Sequence, residues 1–256
     1  MKDKRILLLG GEGESTNIVF HFLNEKFNLV QAIVEQPESK KVFIKRRIKK
    51  LGYLTVLGQI LFQLFIVKFL KLSSGKRKKE IIRQFNLNNS EINKDKLANV
   101  SSVNHKSTIE LIQNMNPDLI IVNGTRIISK KVLESTNCKF INTHAGITPK
   151  YRGVHGLYWA LINNDAEHGG VTVHFVDSGI DTGNIIYQNK VNYGNKDNFT
   201  TYPFLQLAEG LNLLEKAVND YFAEKIEIKD GPKESFLWYH PTIFQYLYYR
   251  IFKGVK

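Results

Sequence analysis

One stretch of the chain, residues 140–153, places polar side chains where a pocket could form. Asn142 and His144 are two apart in a strand-like run, and on an extended strand residues two apart point to the same side. A Gly and Pro turn at residues 146–149 would end the strand and leave the imidazole at the rim of a sheet. An amide and an imidazole at such a rim could serve oxyanion or acid–base chemistry, although a lone histidine is more often structural. A carboxylate, Asp181, follows 37 residues after His144 in a turn rich in Gly and Asp.

The combined pattern is more specific than any one of its residues. Asn-x-His, the Gly and Pro turn, an Arg-Gly pair and an Asp-x-Gly-x-Asp-x-Gly turn follow one another between Asn142 and Gly183. This pattern resembles the 10-formyltetrahydrofolate-dependent formyltransferases, and the resemblance extends over residues 5–35 and 100–222; the pattern itself is shared by the family's enzymes for different amines, and the amino-sugar N-formyltransferases are favoured below on other grounds. It implies that Asn142, His144 and Asp181 are catalytic and that 10-formyltetrahydrofolate is the cofactor.

The resemblance also implies a mechanism. An amine attacks the formyl carbon, and Asn142 with a protonated His144 stabilises the oxyanion of the tetrahedral intermediate. Asp181 orients or charge-stabilises His144 and helps to move the proton from the amine towards the folate nitrogen that leaves. The second acid of the turn, Asp177, is predicted to cap that turn.

A second segment resembles the family's pterin-binding loop. Residues 123–129 (NGTRIIS) follow a predicted strand, and the predicted cofactor contacts are Thr125, Arg126, Ile127 and Ile128. The Arg126 side chain could instead form a salt bridge at the surface.

Beside the Asn-x-His pair, a loop and a helix start offer a guanidinium and aromatic faces for the acceptor. The predicted substrate contacts are Tyr151, Arg152, Gly153 and Tyr158. For Trp159 we favour packing of the helix.

The elements that must position these residues alternate between strand and helix. Apolar runs predict strands at residues 5–10, 29–35, 118–122 and 140–144, and helical spacing predicts helices at 108–115, 156–163 and 199–222. Two further β-rich runs, 171–177 and 185–193, are typical of antiparallel edge strands. We therefore predict an α/β, Rossmann-like, mostly parallel twisted sheet with flanking helices and antiparallel edge strands. The turn at residues 10–13 lacks the third glycine of the dinucleotide fingerprint, which argues against hydride transfer.

This organisation predicts a catalytic domain over residues 1–224 with a basic and apolar helical insert at about 36–99. An aromatic-rich C-terminal extension, 225–256, follows.

The net charge of +12 is concentrated in the insert. Residues 40–80 hold 13 Lys and Arg against the single acid Glu80, and the remaining residues hold 23 basic and 23 acidic side chains. A neutral body with one basic segment favours a small-molecule enzyme with a local attachment element, and no nucleic-acid partner is expected.

Within the insert, residues 51–67 carry no charge. Seventeen residues is at the lower limit for a membrane span, near 17–25. Gln59 and Gln63 interrupt this run, and a span would separate two strands of one sheet, so spanning is disfavoured. Two interpretations stay open: a helical hairpin packed on the core or at a homodimer interface, and peripheral contact with an anionic membrane.

Cysteine usage and the N-terminus predict a cytoplasmic protein. The single cysteine, Cys138, excludes a disulfide framework, has no partner at a metal-ligand spacing, and is interpreted as a buried small hydrophobe. No metal is expected, and no signal-peptide pattern occurs at the start of the sequence.

The acceptor amine is predicted by exclusion. Enzymes of the family that act on methionyl-tRNA carry a sizeable C-terminal β-barrel, whereas about 34 residues follow the last long helix here. Glycinamide ribonucleotide enzymes are compact, and the insert departs from them. A nucleotide-linked or related amino sugar for surface polysaccharide biosynthesis fits best, and the alternatives are those two acceptors, a 10-formyltetrahydrofolate hydrolase and a non-catalytic binding module.

Overall fold

The fold is built on a seven-stranded sheet, which a computed structural model describes within residues 3–256. Its strands lie in the order β3-β2-β1-β4-β5-β7-β8; β1 to β5 run parallel, and β7 and β8 are antiparallel to their neighbours. The strands are β1 (Ile6–Gly11), β2 (Leu29–Glu35), β3 (Leu97–Val100), β4 (Leu119–Asn123), β5 (Lys139–His144), β7 (Gly170–Phe175) and β8 (Ile185–Lys190). The predicted fold class is confirmed.

Helices cover both faces of this sheet. They are α1 (Glu14–Lys26), α2 (Lys40–Leu51), α3 (Tyr53–Leu61), α4 (Lys68–Ser73), α5 (Gly75–Gln84), α6 (Lys106–Met115), α7 (Lys130–Leu133), α8 (Gly156–Ile162), α9 (Tyr202–Phe222) and α10 (Ile243–Phe252). Strand periodicity explains the layering, because Ile6 and Leu8 pack with α1 and α9 while Leu7 and Leu9 pack with α6 and α7.

The segment between β2 and β3 contains the four helices α2 to α5. A π-helical segment, Phe62–Val67, joins α3 to α4, so residues 53–73 form one long helix. The last residues assigned to the insert, 97–99, lie instead in β3, which pairs with β2. The sequence does not indicate β3, because it is a four-residue edge strand with little apolar alternation.

The C-terminal extension packs against the catalytic domain rather than apart from it. A two-residue strand, β9 (Leu237–Trp238), pairs with β6 (Arg152–Gly153) in the loop that follows the Asn-x-His motif. The Trp238 indole N–H donates to the Lys150 carbonyl O at 3.1 Å, and Trp159 stacks on Trp238 with ring centroids 4.8 Å apart. Packing is thus the observed role of Trp159.

Candidate active site

Two of the three predicted catalytic side chains project from the carboxyl end of β5. Asn142 is half-buried and His144 is buried, and they lie opposite His174 and Thr172 of β7 in the antiparallel register. The Thr172 hydroxyl donates to the Gly146 carbonyl O at 2.8 Å and accepts from the Thr148 N–H at 3.0 Å. These bonds hold the Gly and Pro turn that ends the strand beside His144.

His144 joins the strand to the loop that carries Asp181. Its Nδ1 lies 3.3 Å from Asp181 Oδ2, and its Nε2 lies 2.8 Å from the Tyr151 carbonyl O. Both partners are acceptors, so only the doubly protonated imidazolium donates to both. The two acceptors on opposite sides of the ring fix the orientation of the His144 imidazole.

Asp181 is held from two sides. It adopts a left-handed backbone conformation with φ of 50°, which Asp and Asn tolerate better than most residues. The Gly153 N–H donates to Asp181 Oδ2 at 2.9 Å, and an Arg152 guanidinium N–H donates to the Ile180 carbonyl O at 3.1 Å. Asp177 caps the same turn as predicted, accepting from the Gly179 N–H at 2.9 Å and the Thr182 hydroxyl at 2.7 Å.

His174 is a fourth polar side chain at the site, which the sequence analysis did not assign. Its Nδ1 lies 2.7 Å from the Phe175 carbonyl O, its Nε2 lies 3.1 Å from Asn142 Nδ2, and Asp181 Oδ1 is 3.8 Å away. Burial lowers the pKa of His174, with the charge of His144 acting in the same direction. The ring is therefore neutral, donates from Nδ1 to the Phe175 carbonyl, and accepts from the Asn142 amide at Nε2.

This contact makes His174 a positioning residue for Asn142. It uses one N–H of the amide and leaves the second N–H for the site. We expect His174→Leu to lower kcat roughly tenfold, since one neutral hydrogen bond that orients the donor is lost. His174→Gln should restore much of that loss because its carbonyl O can accept from Asn142. Steady-state kinetics check this: KM for 10-formyltetrahydrofolate should stay unchanged in both variants, and a Gln variant no better than Leu would contradict the positioning role.

The predicted cofactor loop lies where the sheet changes direction. From β1 the chain continues outward through β2 to β3, whereas β4 and β5 extend the sheet on the other side. Ligands of open α/β sheets bind at this switch point, outside the carboxyl ends of the strands. Thr125, Arg126, Ile127 and Ile128 follow β4 at this edge, next to β5 and Asn142.

Within that loop, the Arg126 side chain binds other residues of the protein. Its guanidinium lies 3.3 Å from Glu35 Oε2 and donates to the Ser101 and Gln36 carbonyls at 3.0 and 2.6 Å. Glu35 is buried and also accepts from the Val103 N–H at 3.0 Å. The salt-bridge alternative for the Arg126 side chain thus describes the structure. Its backbone is engaged as well, because the Arg126 N–H donates to Glu35 Oε1 at 2.5 Å and the Arg126 carbonyl O accepts from the Thr125 hydroxyl at 2.8 Å.

The loop's backbone keeps donors for a ligand. Within residues 3–256, the Ile127 and Ile128 N–H groups find no hydrogen-bond partner, while the Ile127 carbonyl accepts from the Asn104 amide at 2.9 Å. Ile127 is also exposed, although it is a large apolar side chain. Unpaired donors beside an apolar side chain are suited to the edge of a flat heterocycle.

Two of the four predicted substrate contacts, Tyr151 and Tyr158, are buried in the structure. Tyr151 and Tyr158 are each 1% exposed, because Tyr158 packs between Phe199 and Tyr246 while the Tyr151 hydroxyl donates to Asp165 at 2.8 Å. Burial raises the pKa of both phenols. Neither ring can stack on an acceptor here, so that assignment is corrected for both side chains.

Arg152 and Gly153 do lie beside Asp181. Apart from its bond to Ile180, the guanidinium has a buried Nε with no partner within residues 3–256. Gly153 has a φ of +95°, and a Cβ there would meet the Trp238 carbonyl O. Glycine is needed at this position to hold Asp181 and β9 together.

The extension supplies an exposed aromatic side chain that the sequence analysis did not assign. Phe236 is 48% exposed, its carbonyl O accepts from the Arg152 N–H at 3.1 Å, and its N–H donates to the Pro149 carbonyl O at 3.2 Å. The many aromatic residues of the tail are visible in the sequence, but the sequence does not indicate where the tail packs.

No metal site accompanies these residues in the part of the chain that the structure describes: residues 3–256 contain no cluster of His, Cys, Asp and Glu suited to a metal ion. Cys138 is half-buried, and burial raises the pKa of its thiol.

The family model for formyl transferase matches residues 67–204, which is more than half of the chain. The chain belongs to the formyl transferase family. The formyltransferase family predicted from the sequence is therefore confirmed. Residues 40–66 and helix α10 lie outside the matched region.

Among proteins of known function, the methionyl-tRNA formyltransferase of Finegoldia magna is 31% identical over 121 residues, covering 47% of this chain and 39% of that protein. The chain thus spans about two fifths of the length of this curated relative. Among solved structures, phosphoribosylglycinamide formyltransferase from Anaplasma phagocytophilum has a TM-score of 0.57 at 16% identity, covering 92% of this chain and 98% of that one. A sugar N-formyltransferase from Shewanella sp. FDAARGOS_354 has a TM-score of 0.55 at 14% identity, covering 92% and 76%. At these identities the structural similarity shows the fold alone.

Proposed function

We propose that this formyltransferase transfers a formyl group from 10-formyltetrahydrofolate to a primary amine in the cytoplasm. The observation that carries the proposal is the convergence of Asn142, His144 and Asp181, with His144 Nδ1 3.3 Å from Asp181 Oδ2. These residues come from two separate segments of the chain, and their side chains meet at the carboxyl edge of the sheet.

The residues of the loop after β4 fit the cofactor. The unpaired N–H groups of Ile127 and Ile128 and the exposed Ile127 side chain would hold the pterin ring at the switch point. When bound there, 10-formyltetrahydrofolate supplies the formyl carbon and leaves as tetrahydrofolate.

The proposed catalytic residues stabilise the negative charge on the formyl oxygen and transfer the proton of the attacking amine. The free N–H of Asn142 and the imidazolium of His144 stabilise the negative charge that develops on the formyl oxygen when the amine nitrogen bonds to the carbon. Asp181 would accept a proton from the attacking amine, either directly or by a relay in which His144 gives its Nδ1 proton to Asp181 and takes up the amine proton in its place, and this proton would pass to the nitrogen that leaves as its bond to the formyl carbon breaks. His174 holds the Asn142 amide throughout.

For the acceptor we propose a nucleotide-linked or related amino sugar. Arg152 supports this choice, since its guanidinium lies beside the Asp181 loop, where it donates to the Ile180 carbonyl O, and a guanidinium suits phosphate or carboxylate. Phe236, whose carbonyl O accepts from the Arg152 N–H, has an exposed aromatic ring, which suits a sugar or base.

Methionyl-tRNA is the second candidate, because the relatives of known function that match the catalytic region act on it by name. The seven cations of helix α2 lie outside the region that the family model matches, so they are not part of the shared catalytic unit.

The test is an acceptor screen with labelled 10-formyltetrahydrofolate, nucleotide-linked amino sugars, glycinamide ribonucleotide and methionyl-tRNA. We expect amine-dependent transfer to an amino sugar and no useful rate with methionyl-tRNA. Efficient transfer to the tRNA would overturn the amino-sugar proposal. Formate release that needs no amine would identify a hydrolase, and cofactor binding with neither product would identify a non-catalytic module.

A further inference from the structure

Two helices outside the active site expose an unusual number of large apolar side chains. On the long helix Tyr53–Ser73, the exposed positions follow helical spacing along one side, and helix α10 exposes a second set. We call the two sets together the two-helix surface: Leu54, Leu57, Leu64, Phe65, Phe69, Leu72, Phe244, Leu247, Tyr248, Ile251 and Phe252.

Both helices bury their opposite sides in one cluster of the protein body. Phe62 of the long helix packs against Tyr246 of α10 at 5.2 Å and against Phe199 at 4.9 Å, and Tyr246 also stacks near Tyr158. Gln59 donates to the His240 carbonyl O at 2.7 Å just before α10 begins. Since the buried sides share one cluster, the exposed sides face outward together.

These helices carry only positive charge. Residues 39–79 contain thirteen Lys and Arg, residues 235–256 contain three, and neither segment contains an Asp or Glu. Within residues 3–256, only Arg46, Arg77 and Lys78 of these sixteen cations form ion pairs. Helix α2 buries none of its residues, so its seven cations stay at least partly in solvent beside the apolar positions.

The two-helix surface combines positive charge with exposed apolar side chains, and this combination indicates what binds there. A nucleic acid would neutralise the cations and leave Leu54 (81% exposed) and Leu72 (77%) in water. A second copy of this chain would cover the apolar side chains and bring two sets of cations together. An anionic bilayer satisfies both features, because apolar side chains enter the headgroup boundary while Lys and Arg contact lipid phosphates.

We propose that the two-helix surface docks the enzyme on an anionic membrane. The long helix is apolar enough by composition to cross a bilayer, with a mean hydropathy of 1.8 over its apolar window. It lies along the protein, however, with Phe62, Val56 and Val67 buried against the body. It therefore lies in the plane of the interface, and Lys68 and Lys71 reach the headgroups by extending their stems.

Co-sedimentation of the full-length chain with vesicles tests this docking. We expect recovery with vesicles that contain phosphatidylglycerol, little recovery with pure phosphatidylcholine, and a loss of binding as salt rises. Phe65→Ser/Phe69→Ser should weaken binding at least about tenfold because two apolar side chains no longer enter the bilayer. Both positions are exposed, so the variant should fold.

Matched controls lie elsewhere on the surface. Ile228→Ser removes an apolar side chain of similar exposure (52%) and should leave vesicle binding unchanged. Lys45→Glu/Lys49→Glu should abolish the preference for anionic vesicles, whereas Lys130→Glu/Lys131→Glu on α7 should not.

Several results would overturn the proposal. They are equal recovery with neutral vesicles, serine variants that bind like the parent, and salt-sensitive binding to RNA without binding to vesicles. Self-association of the parent that the Phe65→Ser/Phe69→Ser change abolishes, without vesicle binding, would assign the surface to a second copy. The assay contains no acceptor or cofactor, so its failure leaves the proposed formyl transfer untouched.

Discussion

Replacing His144 with alanine should abolish formyl transfer while leaving cofactor affinity nearly intact. The imidazole lies between Asp181 and the Tyr151 carbonyl O, and its charge acts on the developing oxyanion rather than on the pterin. Removal of one positioned oxyanion donor costs about 10²–10³ in kcat, and His144 also takes part in the proton path. We therefore expect a loss of at least about 10³ in kcat. The measurement is turnover with the acceptor that the screen identifies, beside the Kd for tetrahydrofolate by calorimetry.

A second histidine provides the control for this variant. His21 lies on α1, and its Nε2 lies 2.9 Å from the Ser90 hydroxyl, so its hydrogen bonds involve none of Asn142, His144 and Asp181. His21→Ala should keep parental turnover. If His144→Ala turned over like the parent, or if its loss in activity followed a loss of folate affinity, the assignment of His144 to the transition state would be wrong.

The arrangement of Asn142 and His144 at the end of one strand could be predicted because its geometry is local. Strand periodicity alone places Asn142 and His144 on one side of β5, and Gly146 and Pro149 predict the turn that follows them. Asp181 could be proposed only from the resemblance to the family, because no local rule predicts that residue 181 lies next to residue 144.

Features that depend on distant pairing could not be predicted. His174 meets Asn142 only because β7 pairs with β5 in one particular register, and a single sequence does not specify that register. Strand β3 is short, lies at the edge of the sheet, and pairs with β2 across the whole insert.

Contacts between distant segments also explain why the burial of Tyr158 and the position of Phe236 could not be predicted. The helical period predicts one exposed side for α8, but the insert and α10 pack over it, so Tyr158 is buried on a helix that buries six of its seven residues. The pairing of β9 with β6, which brings Phe236 beside Arg152, likewise joins segments about 85 residues apart.

Asp181→Asn should lower kcat by about two to four orders of magnitude, the usual range for losing acid–base assistance. The substitution is isosteric, and asparagine tolerates the left-handed backbone at this position, so the loop should keep its shape. The amide oxygen of the substituted side chain would still accept from the Gly153 N–H, which in the parent donates to Asp181 Oδ2 at 2.9 Å. What disappears is the negative charge that faces Nδ1 of His144 and the base that takes the amine proton.

A matched variant in the same turn separates charge from loop structure. Asp177→Asn removes a carboxylate four residues earlier, where the side chain only accepts from Gly179 and Thr182, and an amide oxygen can accept the same bonds. It should therefore keep kcat within about threefold of the parent, since a surface carboxylate contributes little. Thermal unfolding should give similar Tm values for both variants. If Asp177→Asn lost as much turnover as Asp181→Asn at equal Tm, the turn as a whole rather than the Asp181 carboxylate would govern the rate, and the proton-transfer role proposed for Asp181 would be withdrawn.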